Sequence, residues 1–147
     1  MAGILVAGTW FAAVAQEEAF KRAAKLPGVE YVYLSKDMLS KVGSSLPVEG
    51  MDEVASQLTS MELLSTSSHD SAKKAYGLLD SSRSGMELLT HMSENDGTVD
   101  IYGVKSDDRL SELLVLVMKD SVLSAVMMKG TIDPEVIKGI SASSGRK

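Results

Sequence analysis

A chain of 147 residues with 44% hydrophobic and 24% charged side chains has the size and composition of one compact domain, which excludes fibrous and intrinsically disordered proteins. The formal net charge of -5 disfavours a nucleic-acid binder, because such proteins carry a basic face for phosphate contacts. The chain has no cysteine, which excludes disulfide scaffolds, thiolate zinc sites, cysteine nucleophiles and cysteine-linked lipid.

Residues 3–15 form an uncharged apolar run that is typical of an export signal. The run is too short to span a bilayer, which needs about 20 apolar residues. Ala13-Val14-Ala15 has the small-x-small pattern of a signal peptidase site, so we predict cleavage between Ala15 and Gln16. No lysine or arginine precedes the run, and the alternative interpretation is a buried strand or helix of the core.

The predicted organisation is a signal peptide over residues 1–15, a single α+β domain over 16–140 and a flexible tail over 141–147. After cleavage the chain has no integral membrane span. We therefore expect a protein of the periplasm or of the cell envelope.

The first half of the chain alternates helices, predicted from apolar residues at helical spacing, with strands rich in β-branched and aromatic residues. Ser35 is predicted to cap the second helix. In chain order the predicted elements are a helix over 16–26, a strand over 29–34, a helix over 36–42, a helical stripe at Met51, Val54, Ala55 and Leu58, a strand over 60–65, and a helix opened by 66–68 and ended by 80–85.

The second half is predicted to be a four-stranded antiparallel meander over residues 86–93, 98–104, 113–118 and 122–128. Asp96-Gly97 lies between the first two strands, where an Asp-Gly pair favours a primed turn with a positive φ at the glycine. Asp133-Pro134 is predicted to open a last helix. The predicted fold class is α+β, with a C-terminal β-meander packed against several short helices and two further short strands in the N-terminal half.

Residues 113–118 are six consecutive apolar residues, whereas a strand with one wet face should alternate apolar and polar side chains. Both faces of this strand must therefore be kept from water. If the short helices are too few to cover both faces, an exposed apolar patch remains, and it would bind a partner, a ligand or a second copy. The patch would consist of Leu114, Leu116, Met118, Met127 and Met128, or of the alternating side chains Leu113, Val115 and Val117. The plainer role for methionines at such positions is to fill gaps in the core.

The two histidines, His69 and His91, are the candidate catalytic residues. Residues 67–70 are Ser-Ser-His-Asp and supply the residue types of a hydrolase, but a catalytic triad is assembled from distant segments rather than within one turn. His69 is expected to be solvated in the first turn of its helix, and His91 to face solvent on its strand. Two histidines without cysteine make a poor zinc site, and the Asp-rich segment 95–100 lacks ligands at the ends of an EF-hand loop. We therefore expect no catalytic, metal or cofactor site.

Several separate segments resemble the bacterial family known as domain of unknown function 4252. They are Gly28–Leu39, Met61–Thr66, Glu87–Leu89, Glu94–Tyr102, Ser111–Leu114 and Met128–Asp133. The resemblance extends from Phe20 to Ile140 and implies an exported or envelope-associated protein of the Bacteroides lineage, with no catalytic residue to carry over. Some members of that family are lipoproteins, and this chain departs from them in having no cysteine.

That lineage also attaches glycans at Asp-Ser or Asp-Thr followed by an apolar residue. Asp70-Ser71-Ala72 and Asp120-Ser121-Val122 match this short pattern.

The function that we expect is a non-enzymatic binding or accessory protein of the bacterial cell envelope. Its partner would be an unidentified protein or a small apolar ligand, with a homodimer as a further option. The alternatives are an enzyme that uses His69 or His91, and a regulatory or sensor partner in envelope-stress signalling. A histidine in a concave site with a partner in hydrogen-bond reach would favour the enzyme.

Overall fold

The computed structural model describes residues 18–42, 55–82, 85–95 and 97–135. The predicted signal peptide and its cleavage site, Asp96, most of the predicted last helix and the predicted tail lie outside these residues. The described elements are α1 (residues 18–24), β1 (Val29–Ser35), α2 (Lys36–Val42), β2 (Leu58–Thr66), α3 (His69–Ser81), β3 (Glu87–Glu94), β4 (Gly97–Ser106), β5 (Arg109–Lys119) and β6 (Val122–Ile132).

The six strands form one antiparallel sheet in the order β1-β2-β6-β5-β4-β3. The four C-terminal strands are a meander, which confirms the predicted second half and the α+β class. The two N-terminal strands extend the same sheet, because β2 pairs with β6 through a register in which Met61 lies opposite Met128.

Local side-chain bonds explain where the helices begin. The hydroxyl of Ser35 accepts from the backbone N–H of Met38 at 3.4 Å, so the predicted cap of α2 is confirmed. Ser68 caps α3 in the same way, accepting from the N–H of Ser71 at 3.2 Å. The predicted helical stripe over 51–58 is wrong at its end, because Leu58 is the first residue of β2. Pairing with β6 overrides helical spacing there.

The sheet has a buried apolar cluster on each face. On one face, which we call the α2 face, Leu113 and Val115 of β5 belong to the same buried cluster as Leu39 of α2. On the other, the α1/α3 face, Leu114 and Leu116 pack with helical residues that include Phe20, Ala23, Ala72, Ala75 and Leu79. The continuous apolar run in β5 is thus explained, because alternate side chains enter two different clusters.

The turns differ from the prediction at Gly97. Gly97 is the first residue of β4 and does not have the positive φ predicted for it, so that prediction is wrong. It must be glycine for another reason: a Cβ there would lie 2.2 Å from the backbone oxygen of Met118 on β5. Left-handed conformations occur instead at Asp120 and Ser121, between β5 and β6, with φ of 52° and 63°.

Candidate functional site

The predicted apolar patch is not present as an exposed surface. Leu114, Leu116 and Met127 are buried beneath α1 and α3, and Met128 is buried on the α2 face. The prediction is therefore corrected for these four residues, because three of them belong to the buried cluster on the α1/α3 face and Met128 belongs to the one on the α2 face. Met118, the fifth, is half-buried. Of the alternating set, Leu113 and Val115 are buried and Val117 is half-buried.

A groove of about 240 Å³ lies next to Met118, between α3 and the ends of β4 and β5. It is lined by His69, Ala72, Lys73, Gly97, Thr98, Met118 and Ser121. The groove is the concave site that we take as the candidate functional site.

One wall of this groove is formed by α3 and the other by the sheet. Lys73 lies one helical turn after His69 on α3, so the Lys73 ammonium and the His69 imidazole lie on the same face of the helix. Thr98 and Met118 are directly opposite each other in the β4–β5 register, so they share one face of the sheet. Ser121 adds a hydroxyl from the turn after β5.

A histidine–carboxylate pair lies beside the groove on the same face of the sheet. His91 on β3 is directly opposite Asp100 on β4, and Nδ1 of His91 is hydrogen-bonded to Oδ1 of Asp100. A carboxylate only accepts, so this bond places a proton on Nδ1. The carboxylate is buried, whereas about half of the His91 side chain is exposed. Because Asp100 follows Thr98 by two residues, the pair lies about 7 Å along the strand from the groove.

The two properties that would favour an enzyme are divided between the histidines. His69 lines the groove and is exposed, as predicted, while His91 has the carboxylate partner. Within the described residues, no serine or threonine hydroxyl is hydrogen-bonded to either ring. The hydroxyls of Ser67 and Ser68 serve the entry to α3, since Ser67 donates to the carbonyl of Gly28 and Ser68 caps the helix.

Several residues of this region were not singled out from the sequence, namely Lys73, Thr98, Asp100 and the groove role of Ser121. Asp100 could have been found from the hairpin register. The observed register, in which Glu94 lies opposite Gly97, pairs His91 with Asp100, whereas the predicted turn at Asp96-Gly97 pairs His91 with Tyr102.

The described ranges contain no group of three histidine or acidic side chains placed to hold a metal ion. Of the two glycosylation matches, Ser71 is buried and its hydroxyl donates to the carbonyl of Pro27, whereas Ser121 is exposed. A glycan could reach Ser121 but not Ser71 in the folded chain.

The family model described as domain of unknown function (DUF4252) matches residues 20–140. The chain belongs to this family. The match takes in all six strands, the groove and the His91–Asp100 pair of this DUF4252 domain. Neither the curated proteins nor the solved structures contain a significant match. In the part of the DUF4252 domain that the structure describes, no helix is long and apolar enough to cross a bilayer.

Proposed function

We propose that the protein is an exported, non-enzymatic binding or accessory protein of the bacterial cell envelope, and that its groove receives one protruding side chain of a partner protein. The observation that carries the proposal is the size of the groove. Small-molecule pockets usually measure about 300–1,000 Å³, and this groove of about 240 Å³ is smaller. Such a volume suits a single anchoring side chain, the usual centre of a protein interface.

The lining indicates the chemistry of that anchor. Ala72 and Met118 supply an apolar floor, and a methionine side chain adapts its shape to what it contacts. The Lys73 ammonium is a charged donor, and the hydroxyls of Thr98 and Ser121 are further hydrogen-bonding groups. An acidic side chain with an apolar stem, as in glutamate, fits this combination.

Export is supported by the sequence of residues 3–15 and by their small-x-small end at Ala15. The test is the intact mass of the protein recovered from a fractionated cell. We expect an envelope-fraction species that begins at Gln16. An exported species that still begins at Met1 would contradict the cleavage, and recovery in the cytoplasm alone would contradict the export.

Binding at the groove is tested with two adjacent lysines of α3. Lys73 lines the groove and Lys74 does not, while both side chains are exposed and identical in chemistry. Tagged wild-type, Lys73→Glu and Lys74→Glu proteins are incubated with the solubilised envelope fraction. We expect Lys73→Glu to lose a protein that wild type and Lys74→Glu both retain, because a like charge would repel an acidic anchor. Equal retention by both variants would mean that the groove is not the binding site.

The His91–Asp100 bond favours a second candidate function, an enzyme that uses His91 as a base oriented by the Asp100 carboxylate. A turnover shown by the wild-type protein and lost in both His91→Gln and Asp100→Asn would support it. A turnover unchanged by both substitutions would exclude this pair as its source.

A further inference from the structure

Exposed large apolar side chains are concentrated at one edge of the sheet. The exposed members of this class in the described residues are Val32, Tyr33, Met38 and Leu88. Three of the four belong to β1 or to α2, which follows it directly. Val32 and Tyr33 are 48% and 57% exposed, and as neighbours on a strand they point to opposite faces. Neither face of the β1 edge is therefore covered at its centre.

The β1 edge also lacks the features with which sheets protect their edges. Its pairing with β2 runs without a register shift over all seven residues, it contains no proline, and its single charged residue is Glu30. The opposite edge strand, β3, has a register irregularity between Leu88 and Thr90, and its Glu87 pairs with Lys105 at 3.0 Å. Bulges and charges discourage edge-to-edge pairing, and an unprotected edge strand is a template for another strand.

We propose that β1 pairs with β1 of a second copy of this chain, antiparallel about a two-fold axis through Val32, to give a continuous twelve-stranded sheet. In this register all seven residues of β1 pair. Val32 lies opposite Val32 of the second copy, and Tyr31 lies opposite Tyr33 twice. Aromatic and β-branched pairs of this kind are stabilising cross-strand contacts.

The segment formed by β1 and the start of α2 is complementary in charge to itself, which favours a second copy over an unrelated strand. Glu30 and Lys36 lie on either side of Val32, both are exposed, and neither forms an ion pair among the described residues. About the proposed axis, Glu30 of one copy lies opposite Leu34 of the other. Lys36, the first residue of α2, follows Leu34 by two residues, so Glu30 and Lys36 come to the same end of the interface, where their long side chains can form an ion pair. The symmetry makes this contact twice. Cyclic dimers of this isologous kind are the commonest assemblies of identical chains.

The first test measures the mass of the purified protein in solution by sedimentation over a range of concentrations. We expect a dimer in wild type, a monomer in Val32→Lys, and a dimer in Leu88→Lys. Leu88 is the matched control, because it is 51% exposed on the opposite edge strand. A wild type that stays monomeric at every concentration, or a dimer that persists in Val32→Lys, would overturn the proposal.

A charge exchange separates pairing from a general loss of stability. Glu30→Lys alone and Lys36→Glu alone should each weaken the dimer, since each places two like charges across the axis. The double variant Glu30→Lys/Lys36→Glu should restore it. Circular dichroism of each variant confirms the fold. Folded single variants that dimerise as well as wild type, or a folded double variant that is no better than the singles, would contradict the register.

Cross-linking tests the position of the axis directly. The chain has no cysteine, so Val32→Cys introduces one unique thiol per chain. Directly opposite residues of antiparallel strands have Cα atoms about 4.5–5.5 Å apart, within the span of a disulfide. Under oxidised glutathione we expect disulfide-linked dimers of Val32→Cys in high yield and few of Leu88→Cys. Equal yields from the two variants would reject the β1 edge as the interface.

Discussion

Gly97 is the described position at which an added side chain has the least room next to β5. A Cβ atom there would lie 2.2 Å from the carbonyl oxygen of Met118 and 3.0 Å from the Cα of Lys119. Both atoms belong to the backbone of β5, and moving them would disturb its pairing with the two neighbouring strands. By contrast, a Cβ on Gly77 of α3 would meet nothing within 4 Å.

We therefore expect opposite effects from the same substitution at these two glycines. Gly97→Ala should lower the free energy of unfolding by about 1–3 kcal/mol, the usual cost of overpacking. Gly77→Ala should raise it by about 0.5–1 kcal/mol, because alanine favours a helix interior over glycine. Urea unfolding followed by circular dichroism measures both. If Gly97→Ala is as stable as wild type, β4 and β5 are not in close contact at this point.

At the scale of single elements, the turn between β5 and β6 carries conformational strain. Asp120 and Ser121 both have positive φ, as the two central residues of a type I′ turn require. This left-handed conformation is unfavourable for serine, because its Cβ comes too close to the following carbonyl oxygen. Asp-Gly is the pair that such a turn favours.

Ser121→Gly should therefore stabilise the protein by about 1 kcal/mol, the order of the left-handed penalty that it removes. Ser121→Ala is the control, since it removes the hydroxyl but keeps the Cβ, and it should bring no such gain. Thermal unfolding distinguishes the two. Equal changes in both variants would assign the effect to the hydroxyl rather than to the backbone.

Much of this level of structure could be predicted from the sequence. Local patterns predict the strands β1 and β2, the helix α2 and the four strands of the meander, and all of these elements are present in the structure. What local patterns cannot show is which strands become neighbours. The β2–β6 pairing joins residues more than fifty positions apart, and nothing in either strand specifies the other.

The candidate site depends on the same kind of non-local information. The groove forms where α3 meets the ends of β4 and β5, and no local pattern in the sequence predicts that these elements meet. The His91–Asp100 pair, in contrast, depended only on the position of one turn. Placing that turn a single residue too late changed the residue opposite His91, because register is set by the turn.

For the whole molecule, the groove and the proposed dimer edge are well separated. The groove lies between α3 and the ends of β4 and β5, and the nearer of these strands, β5, is three strands away from β1 in the sheet. At a spacing of about 4.8 Å this is roughly 14 Å. Dimerisation would therefore leave both grooves open, and each dimer would present two of them to a partner. Val32→Lys should accordingly abolish the dimer while each monomer keeps the binding that depends on Lys73.

The two-sided packing of β5 has a consequence for how the molecule opens. Leu113 and Val115 belong to the cluster on one face and Leu114 and Leu116 to the cluster on the other, so neither layer can detach from this strand without exposing buried side chains. Native-state amide hydrogen exchange should show β5 protons exchanging only through global unfolding, with the same dependence on denaturant as the overall transition. In the proposed dimer the outer edge strand is β3, and its amides should exchange through smaller local openings. The protein would then unfold as one cooperative unit built around β5, while its edge opens locally without global unfolding.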